Sequence, residues 1–292
     1  MPINQDIRIK YASRSISNVV FYIPFSYYYV VRLGTVPKLL SWMLIYLFPV
    51  SYYAFLTYNG AIYLFIINML LILSSTFSLY ELGYILNDTI TTQREQNPTI
   101  RLYPQNLHHY ERYQWYIIFC RIVYSISTII CLLFVNNTPI ANIQPQHLTY
   151  TILSIVSSFP IFLLYNHWRS YHNVLLYPVL VFSRYLPFVL LYEINWIIIL
   201  FLFISFPMIN MIERFSMPRY RFSIIRTIIP NEDTKSLFRV VYYTIILVIS
   251  SILHLLGIIS LKLIIPIIVL FIYRLLLYFI TKNYHPQNYL NG

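Results

Sequence analysis

The chain has 292 residues, of which 59% are hydrophobic and only 10% are charged, and its mean hydropathy is +0.64. Soluble domains carry about 25% charged residues, so one water-soluble core is excluded and lipid must solvate most of the apolar surface. The net charge of +11 does not indicate a nucleic-acid-binding face, because the cations cluster between apolar stretches. The composition predicts a polytopic membrane protein that contacts membrane lipids and a phosphate-rich ligand, with no nucleic acid.

The first 36 residues precede the long apolar stretches. Within them, the run VVFYIPFSYYYVV at 19–31 is too short to span a bilayer and is rich in Tyr and Phe. Such a composition favours an interfacial segment that lies along the lipid headgroups. We therefore predict an N-terminal cytoplasmic or interfacial segment over 1–36, a transmembrane domain over 37–280 and a cytoplasmic C-terminal tail over 281–292.

Eight apolar stretches are long enough, or nearly so, to cross a bilayer as helices, which takes about 20 residues. Their expected positions are 37–57, 61–86, 114–135, 148–165, 174–192, 194–212, 237–257 and 259–280. The predicted fold class is all-α, a transmembrane bundle of about eight helices in two four-helix halves around a central cavity. Arg and Lys concentrate in alternate loops, so the positive-inside rule predicts that both termini are cytoplasmic.

One polar stretch, GYILNDTITTQREQNPTIRLY at 83–103, directly follows the second apolar segment. Asp88 and Glu95 are two helical turns apart, so they would share one face if the helix continues. Asn87 adds an amide oxygen beside Asp88. Oxygen ligands of this kind suit Mg²⁺ that is shared with the phosphates of a ligand, which predicts Asp88 and Glu95 as metal ligands.

Two arginines accompany these acids. Arg94 and Arg101 lie in the same polar stretch. A guanidinium group binds phosphate oxygens with bidentate geometry, so both residues are candidate contacts for a phosphate-bearing substrate.

A second polar stretch, NMIERFSMPRYR at 210–221, follows the sixth apolar segment. Asn210 and Glu213 again place an amide and a carboxylate on one helical face, and Arg214 is adjacent. The expected topology puts both stretches on the cytoplasmic side, which suggests two halves that face a shared cavity. Ordinary polar loops with helix caps are the alternative interpretation.

Ionisable residues also fall inside or near the apolar segments. A charge at mid-membrane is costly, so it usually faces the bundle interior or water. For Arg121 and Arg274 a structural pair or snorkelling is favoured, whereas Arg184 fits the wall of a polar cavity equally well. Glu81, just before the first polar stretch, is expected to line a cavity rather than to act as a base.

The arrangement resembles the UbiA superfamily of intramembrane prenyltransferases. That family has eight or nine helices, an N-D-x-x-D-x-x-x-D motif after helix two and a second Asp-rich motif after helix six. Asn87, Asp88 and Glu95 fall on the first, second and last positions of the first motif, whereas Thr91 replaces its middle aspartate. The following NPTIR at 97–101 is similar to the N-P-x-R tail of the family.

The resemblance implies catalytic roles for Asp88, Glu95 and Asn87 around Mg²⁺ and the diphosphate of a prenyl donor. It also implies that Arg169, in YNHWRSYHN after the fourth segment, is the basic residue near the diphosphate. In the second motif, Asn210 and Glu213 stand where the family places two or three aspartates. The smaller number of acids favours one metal ion over two, with Asp88, Glu95 and Glu213 as ligands. Arginines would supply part of the missing charge, namely Arg94, Arg101, Arg169 and Arg214.

These features lead to one expected function with two alternatives. The expected function is that of a Mg²⁺-dependent transferase of the bacterial inner membrane. The enzyme would take a prenyl diphosphate or another diphosphate donor and a lipophilic acceptor at a cytoplasm-facing site. The nearest alternative is phosphoribosyl transfer to a polyprenyl phosphate in lipid-linked glycan assembly. The other is a non-catalytic UbiA-like protein that binds a lipid or a partner.

Overall fold

The computed structural model describes residues 8–9, 16–94, 99–137, 143–168, 173–217, 220, 222–229 and 232–283. Almost all of these residues are helical, so the all-α fold class is confirmed. The helices are α1 Val36–Leu56, α2 Ile62–Leu86, α3 Pro104–Asn136, α4 Pro145–His167, α5 Asn173–Ser183, α6 Leu186–Leu190, α7 Trp196–Ser205, α8 Pro207–Phe215, α9 Ser223–Ile228, α10 Glu232–Leu255 and α11 Leu261–Asn283.

Short elements complete the description. α2 continues through a π-helical turn, Asn87–Thr91, and a 3₁₀ turn, Thr92–Arg94. Two helical turns, Asn18–Phe21 and Tyr28–Leu33, precede α1. Two-residue strands β1, Arg8–Ile9, and β2, Thr99–Ile100, pair in parallel.

Six helices in the described ranges are long and apolar enough to cross a membrane, namely α1, α2 with its extension, α3, α4, α10 and α11. α7 and α8 pass the same criterion only as a pair that is bent by 41°, which would raise the number of spans to seven. The chain therefore has the helices of a multi-pass membrane protein. The expected number of eight crossings is not confirmed.

Prolines explain where the expected spans differ from the helices. The expected span 174–192 is divided between α5, which ends at Ser183, and the five-residue helix α6, which has Pro187 in its first turn. Between α7 and α8, Phe206 leaves the helical conformation directly before Pro207. Proline lacks an N–H and crowds the preceding residue, so it is favoured in the first turn of a helix, which is where α6 and α8 carry theirs.

The chain forms two compact units. Unit 1 comprises Met1–Met43 and Ala54–Ile194, and unit 2 comprises Leu44–Tyr53 and Asn195–Gly292. Unit 1 therefore holds α2–α6 and both ends of α1, whereas unit 2 holds α7–α11 and the middle of α1. This division differs from two halves of four helices each. The expected cavity between two halves stays a prediction.

The segment before α1 is packed into unit 1. Phe21 and Tyr27 are both 0% exposed and belong to one apolar cluster with Ile85 of α2 and Ile117 of α3. The aromatic residues that predicted contact with headgroups are thus largely covered by helices of the same unit. The depth of the segment in the lipid stays a prediction.

Polar and small residues join α2 to its neighbours. Asn68 and Asn136 exchange two side-chain hydrogen bonds between α2 and α3, at 3.0 and 2.8 Å. On α4, Phe162 packs so closely against Gly83 that a Cβ there would overlap its ring, and Asn166 donates to the Gly83 carbonyl at 3.0 Å. Close backbone approach and interhelical amide bonds are typical of helix packing in lipid. The contacts at Gly83 fix the end of α2, where the candidate site lies.

Candidate anion-binding site

Asp88 lies at the centre of an ion-paired cluster at the end of α2. Its side chain is 0% exposed. Nη2 of Arg32 lies 2.7 Å from both carboxylate oxygens, and Nη1 of Arg101 lies 3.2 Å from Oδ1. One carboxylate thus holds two guanidinium groups, which leaves the three side chains with a net charge of +1. We call these three residues the Asp88 cluster.

Neutral donors complete the surroundings of this carboxylate. The Tyr27 hydroxyl donates to Oδ2 at 3.0 Å, and the Asn87 amide donates to Oδ1 at 3.2 Å. Burial raises the pKa of Tyr27 well above its ordinary value, and the Asp88 carboxylate adds to the rise. Both oxygens of Asp88 are therefore engaged by donors from the protein itself.

The two cations of the cluster are less buried than the acid. The side chain of Arg32 is 17% exposed and that of Arg101 is 26% exposed. Burial lowers the pKa of Arg101, and repulsion from Arg32 lowers it further, against the opposing effect of Asp88. The two guanidinium groups repel each other, so the binding of an added anion beside them would be favourable. The cluster therefore presents partly solvated donors that suit a phosphate group.

Local backbone structure places the two arginines. Arg32 lies in the helical turn Tyr28–Leu33, which ends at Gly34 with a left-handed φ of 71°. Glycine adopts that conformation without a Cβ clash and is common there. Arg101 follows β2, whose pairing with β1 fixes the start of its loop. The guanidinium of Arg32 also lies over the Tyr84 ring, 4.3 Å from the centroid.

A second buried ion pair lies on the same helix. Glu81 and Arg121 are both 0% exposed, and Nη1 of Arg121 donates to Oε2 of Glu81 at 2.6 Å. Both side chains also bond to the backbone of the segment before α1. Arg121 thus forms the expected structural pair. Glu81 lies in closed packing, unlike the expected cavity-lining residue.

Arg184 lies in an aromatic part of unit 1. Its side chain is buried, and Nη1 donates to the Tyr84 hydroxyl at 3.5 Å. Its guanidinium carbon lies 4.5–5.6 Å from the centroids of four aromatic rings, those of Tyr28, Phe77, Tyr80 and Tyr185. The polar group is therefore stabilised by ring faces, which accounts for a charge within an apolar stretch.

The second polar stretch belongs to unit 2 and forms its own ion pairs. Arg239 binds Glu213 through two contacts of 2.6 and 2.8 Å, and Lys235 lies 3.8 Å from the same carboxylate. Asn210 donates to the Tyr46 hydroxyl at 3.2 Å. Arg214 follows Glu213 in the last turn of α8 and is half-buried.

The structure brings together only part of the predicted site. Asn87, Asp88 and Arg101 are in contact, whereas Arg94 is exposed and is not a partner of Asp88 within the described ranges. Asn210, Glu213 and Arg214 lie in unit 2. Glu95 and Arg169 lie outside the described residues.

Candidate metal ligands are not grouped together among the described residues. No group of three or more His, Cys, Asp or Glu side chains that could hold a metal occurs among them. The oxygens of both Asp88 and Glu213 are already bonded to arginines, in separate units. Mg²⁺ is commonly held by one or two carboxylates together with the phosphates of its ligand, so the expected ion stays a prediction.

Sequence reasoning missed Arg32 and Tyr27. Both belong to a stretch whose composition predicts an interfacial segment, and each meets Asp88 across more than 50 positions of the chain. The available signal was Asp88 itself, because an acid beside an apolar span needs a counter-charge. Asp88 therefore requires a basic partner, but the sequence does not identify which residue that partner is.

Comparison with known proteins adds no family assignment. No protein-family model, curated protein or solved structure matches this chain. The resemblance to the UbiA superfamily, in expected helix number, motif placement and motif residues, stays a prediction.

Proposed function

We propose that the protein is a membrane group transferase resembling the UbiA prenyltransferases, in which the Asp88 cluster binds a diphosphate-bearing donor. The donor is a prenyl diphosphate, and the group passes to a lipophilic acceptor. In this proposal the protein lies in the bacterial inner membrane, with both termini and the site on the cytoplasmic side. The observation that carries it is the surplus guanidinium charge held by Asp88 at the end of an apolar helix.

The role of each residue follows from its contacts. Asp88 orients the two guanidinium groups and prevents their mutual repulsion from driving them apart. Each guanidinium has five N–H donors, so Arg32 and Arg101 retain donors for phosphate oxygens after binding Asp88. The helices α2 and α3 beside the cluster are apolar enough to cross a membrane, which suits a donor or acceptor with a hydrocarbon chain.

Donor affinity tests the anion site. The assay is binding of a prenyl diphosphate to the protein in lipid nanodiscs of constant lipid charge, with and without Mg²⁺. We expect Arg32→Ala or Arg101→Ala to weaken binding by about 2–4 kcal/mol, the loss typical of one partner of a desolvated charge pair. Arg226→Ala is the matched control, because Arg226 is exposed on α9. A change below threefold at both cluster arginines would contradict the proposed site.

Product formation tests the reaction itself. Labelled prenyl diphosphate and labelled phosphoribosyl diphosphate, each offered with a membrane lipid extract, are followed by thin-layer chromatography. Transfer from the first donor supports prenyl transfer, whereas transfer from the second supports the phosphoribosyl alternative. We expect Asp88→Ala to abolish transfer while the protein stays folded in detergent. Full Mg²⁺-dependent turnover in that variant would exclude the Asp88 cluster as the catalytic site.

One observation favours a non-catalytic protein as the second candidate. Both Asp88 oxygens are bonded to protein donors, and such a cluster also fixes the segment before α1. A protein that only binds an anionic lipid would need the same arrangement. This candidate predicts anion binding that depends on Arg32 and Arg101, with no product from either labelled donor.

A further inference from the structure

We propose that Glu81 and Arg121 are positioning residues, which hold the segment before α1 so that Tyr27 and Arg32 reach Asp88. The inference rests on the proposed function, because it concerns the assembly of the anion site. It assigns a role to two buried charges that do not touch Asp88 themselves. We call this pair and its backbone contacts the clamp.

The clamp bonds to four backbone groups of one short segment. Arg121 donates from Nε to the Phe21 carbonyl at 2.7 Å and from Nη2 to the Val20 carbonyl at 2.9 Å. Glu81 accepts from the Phe25 N–H at 2.9 Å and from the Tyr28 N–H at 2.6 Å.

These hydrogen bonds use most of the donors of Arg121 and most of the acceptor positions of Glu81. Each terminal oxygen of Glu81 has a backbone partner, and Nη1 of Arg121 closes the pair by donating to Glu81. Because both residues are 0% exposed, water cannot replace these bonds. The position of the segment is therefore coupled to the presence of both charges.

The backbone at the middle of the clamp supports this role. Phe25 has a φ of 68°, in the left-handed region that bulky residues rarely adopt. Such a conformation persists only where the surroundings hold it, and residues of this kind concentrate at functional sites. Here the Phe25 N–H is bonded to Glu81, and its ring packs on Trp42 and Phe77.

The clamp connects directly to the anion site. The bonded stretch ends at Tyr28, which begins the helical turn Tyr28–Leu33 that carries Arg32. Tyr27, which donates to Asp88, lies between the two residues whose N–H groups bind Glu81. A shift of the clamped backbone would move both Tyr27 and Arg32 away from Asp88.

A labelling experiment reads the position of the segment. The parent carries Cys120→Ala, Cys131→Ala and Val20→Cys, because Val20 is 7% exposed and accepts a bond from Arg121. Its reaction with a maleimide reports opening of the segment. Inorganic pyrophosphate affinity and thermal unfolding are measured on the same samples in nanodiscs.

Four changes are compared in this parent, the fourth being Arg121→Lys. Glu81→Gln leaves Arg121 without a counter-charge, so the double variant Glu81→Gln/Arg121→Met is included to remove both charges. Asn136→Leu is the matched control, because it breaks a buried polar pair between the same two helices at their other ends.

The clamp predicts a specific pattern across these variants. In the double variant, maleimide labelling should rise at least about tenfold and pyrophosphate affinity should fall at least about tenfold, as expected for local opening of one segment. Asn136→Leu should lower the unfolding temperature and leave both quantities unchanged. Arg121→Lys keeps the charge but loses the forked donors, so it should label at an intermediate rate.

Each contrary result has a distinct meaning. Unchanged labelling and affinity in the folded double variant would overturn the inference. Equal changes of labelling and affinity in Asn136→Leu would show that any loss of stability opens the segment. That result would also overturn the inference. If the parent fails to bind pyrophosphate, the proposed anion site is wrong, and labelling alone then decides whether the clamp holds the segment.

Discussion

The two arginines of the Asp88 cluster should contribute unequally to the stability of the fold. Arg32 approaches both carboxylate oxygens at 2.7 Å, whereas Arg101 makes one contact at 3.2 Å. Arg32 is also the less exposed of the two, at 17% against 26%. Replacing Asp88 by Asn removes the charge with little change of shape, so double-mutant cycles with each arginine isolate the two pairs.

The magnitudes follow from the contacts. A hydrogen bond to a charged group contributes about 1.5–3 kcal/mol, and partial exposure reduces that value through screening. We expect a coupling free energy of about 3 kcal/mol between Arg32 and Asp88, and about 1 kcal/mol between Arg101 and Asp88. The single variant Asp88→Asn should be destabilised by about 3 kcal/mol, because it leaves two guanidinium groups in repulsion without their counter-charge.

Unfolding in detergent micelles provides the measurement. Wild type, Asp88→Asn, Arg32→Met, Arg101→Met and the two double variants are titrated with sodium dodecyl sulfate and followed by tryptophan fluorescence. The reasoning is refuted if the Arg101 pair couples as strongly as the Arg32 pair. It is also refuted if the Arg32 coupling stays below about 0.5 kcal/mol, the lower end for residues in contact.

Three further outcomes test other parts of the structure. Burial raises the folded-state pKa of Tyr27 above 10.0, so its stabilising contribution is complete below about pH 10 and is lost as the pH rises toward the folded pKa. Wild type should therefore lose unfolding free energy more steeply above about pH 10 than Tyr27→Phe, and equal slopes would contradict this. Gly83→Ala forces a methyl group into the Phe162 ring and should destabilise the protein by about 1–3 kcal/mol in the same titration. An unchanged free energy of unfolding would show that α4 can move to accommodate the methyl group. Reporter fusions after Thr99 and Asn137 should report opposite compartments, and a shared compartment would contradict the topology and the cytoplasmic site.

Hydropathy located the uninterrupted helices well. The expected spans 37–57 and 148–165 lie within a residue or a few residues of α1 and α4, because a long apolar run needs no tertiary information to become a helix in lipid. The expected span 174–192 failed where the turn at Arg184 and Tyr185, just before Pro187, divides the run. Average apolarity over a window does not register such breaks.

The site was predictable only where its residues are close in sequence. Asn87, Asp88 and Arg101 share one polar stretch, so local spacing was enough to group them. Arg32 meets Asp88 across 56 positions, and no local pattern in a single sequence encodes such a pairing. The same reason hid the clamp, since Glu81 and Arg121 are 40 positions apart.

The clamp also has a consequence for the order of synthesis. Arg121 is made 100 positions after Phe21, whose carbonyl it binds. At about 5–20 residues per second, the segment before α1 leaves the ribosome roughly 5–20 seconds before its partner exists. During that interval Phe21 and Tyr27 lack the cover of α3, although both end in the core. The nascent segment therefore has an incomplete apolar cover until α3 arrives, and its aromatic composition suits contact with the lipid surface in that time.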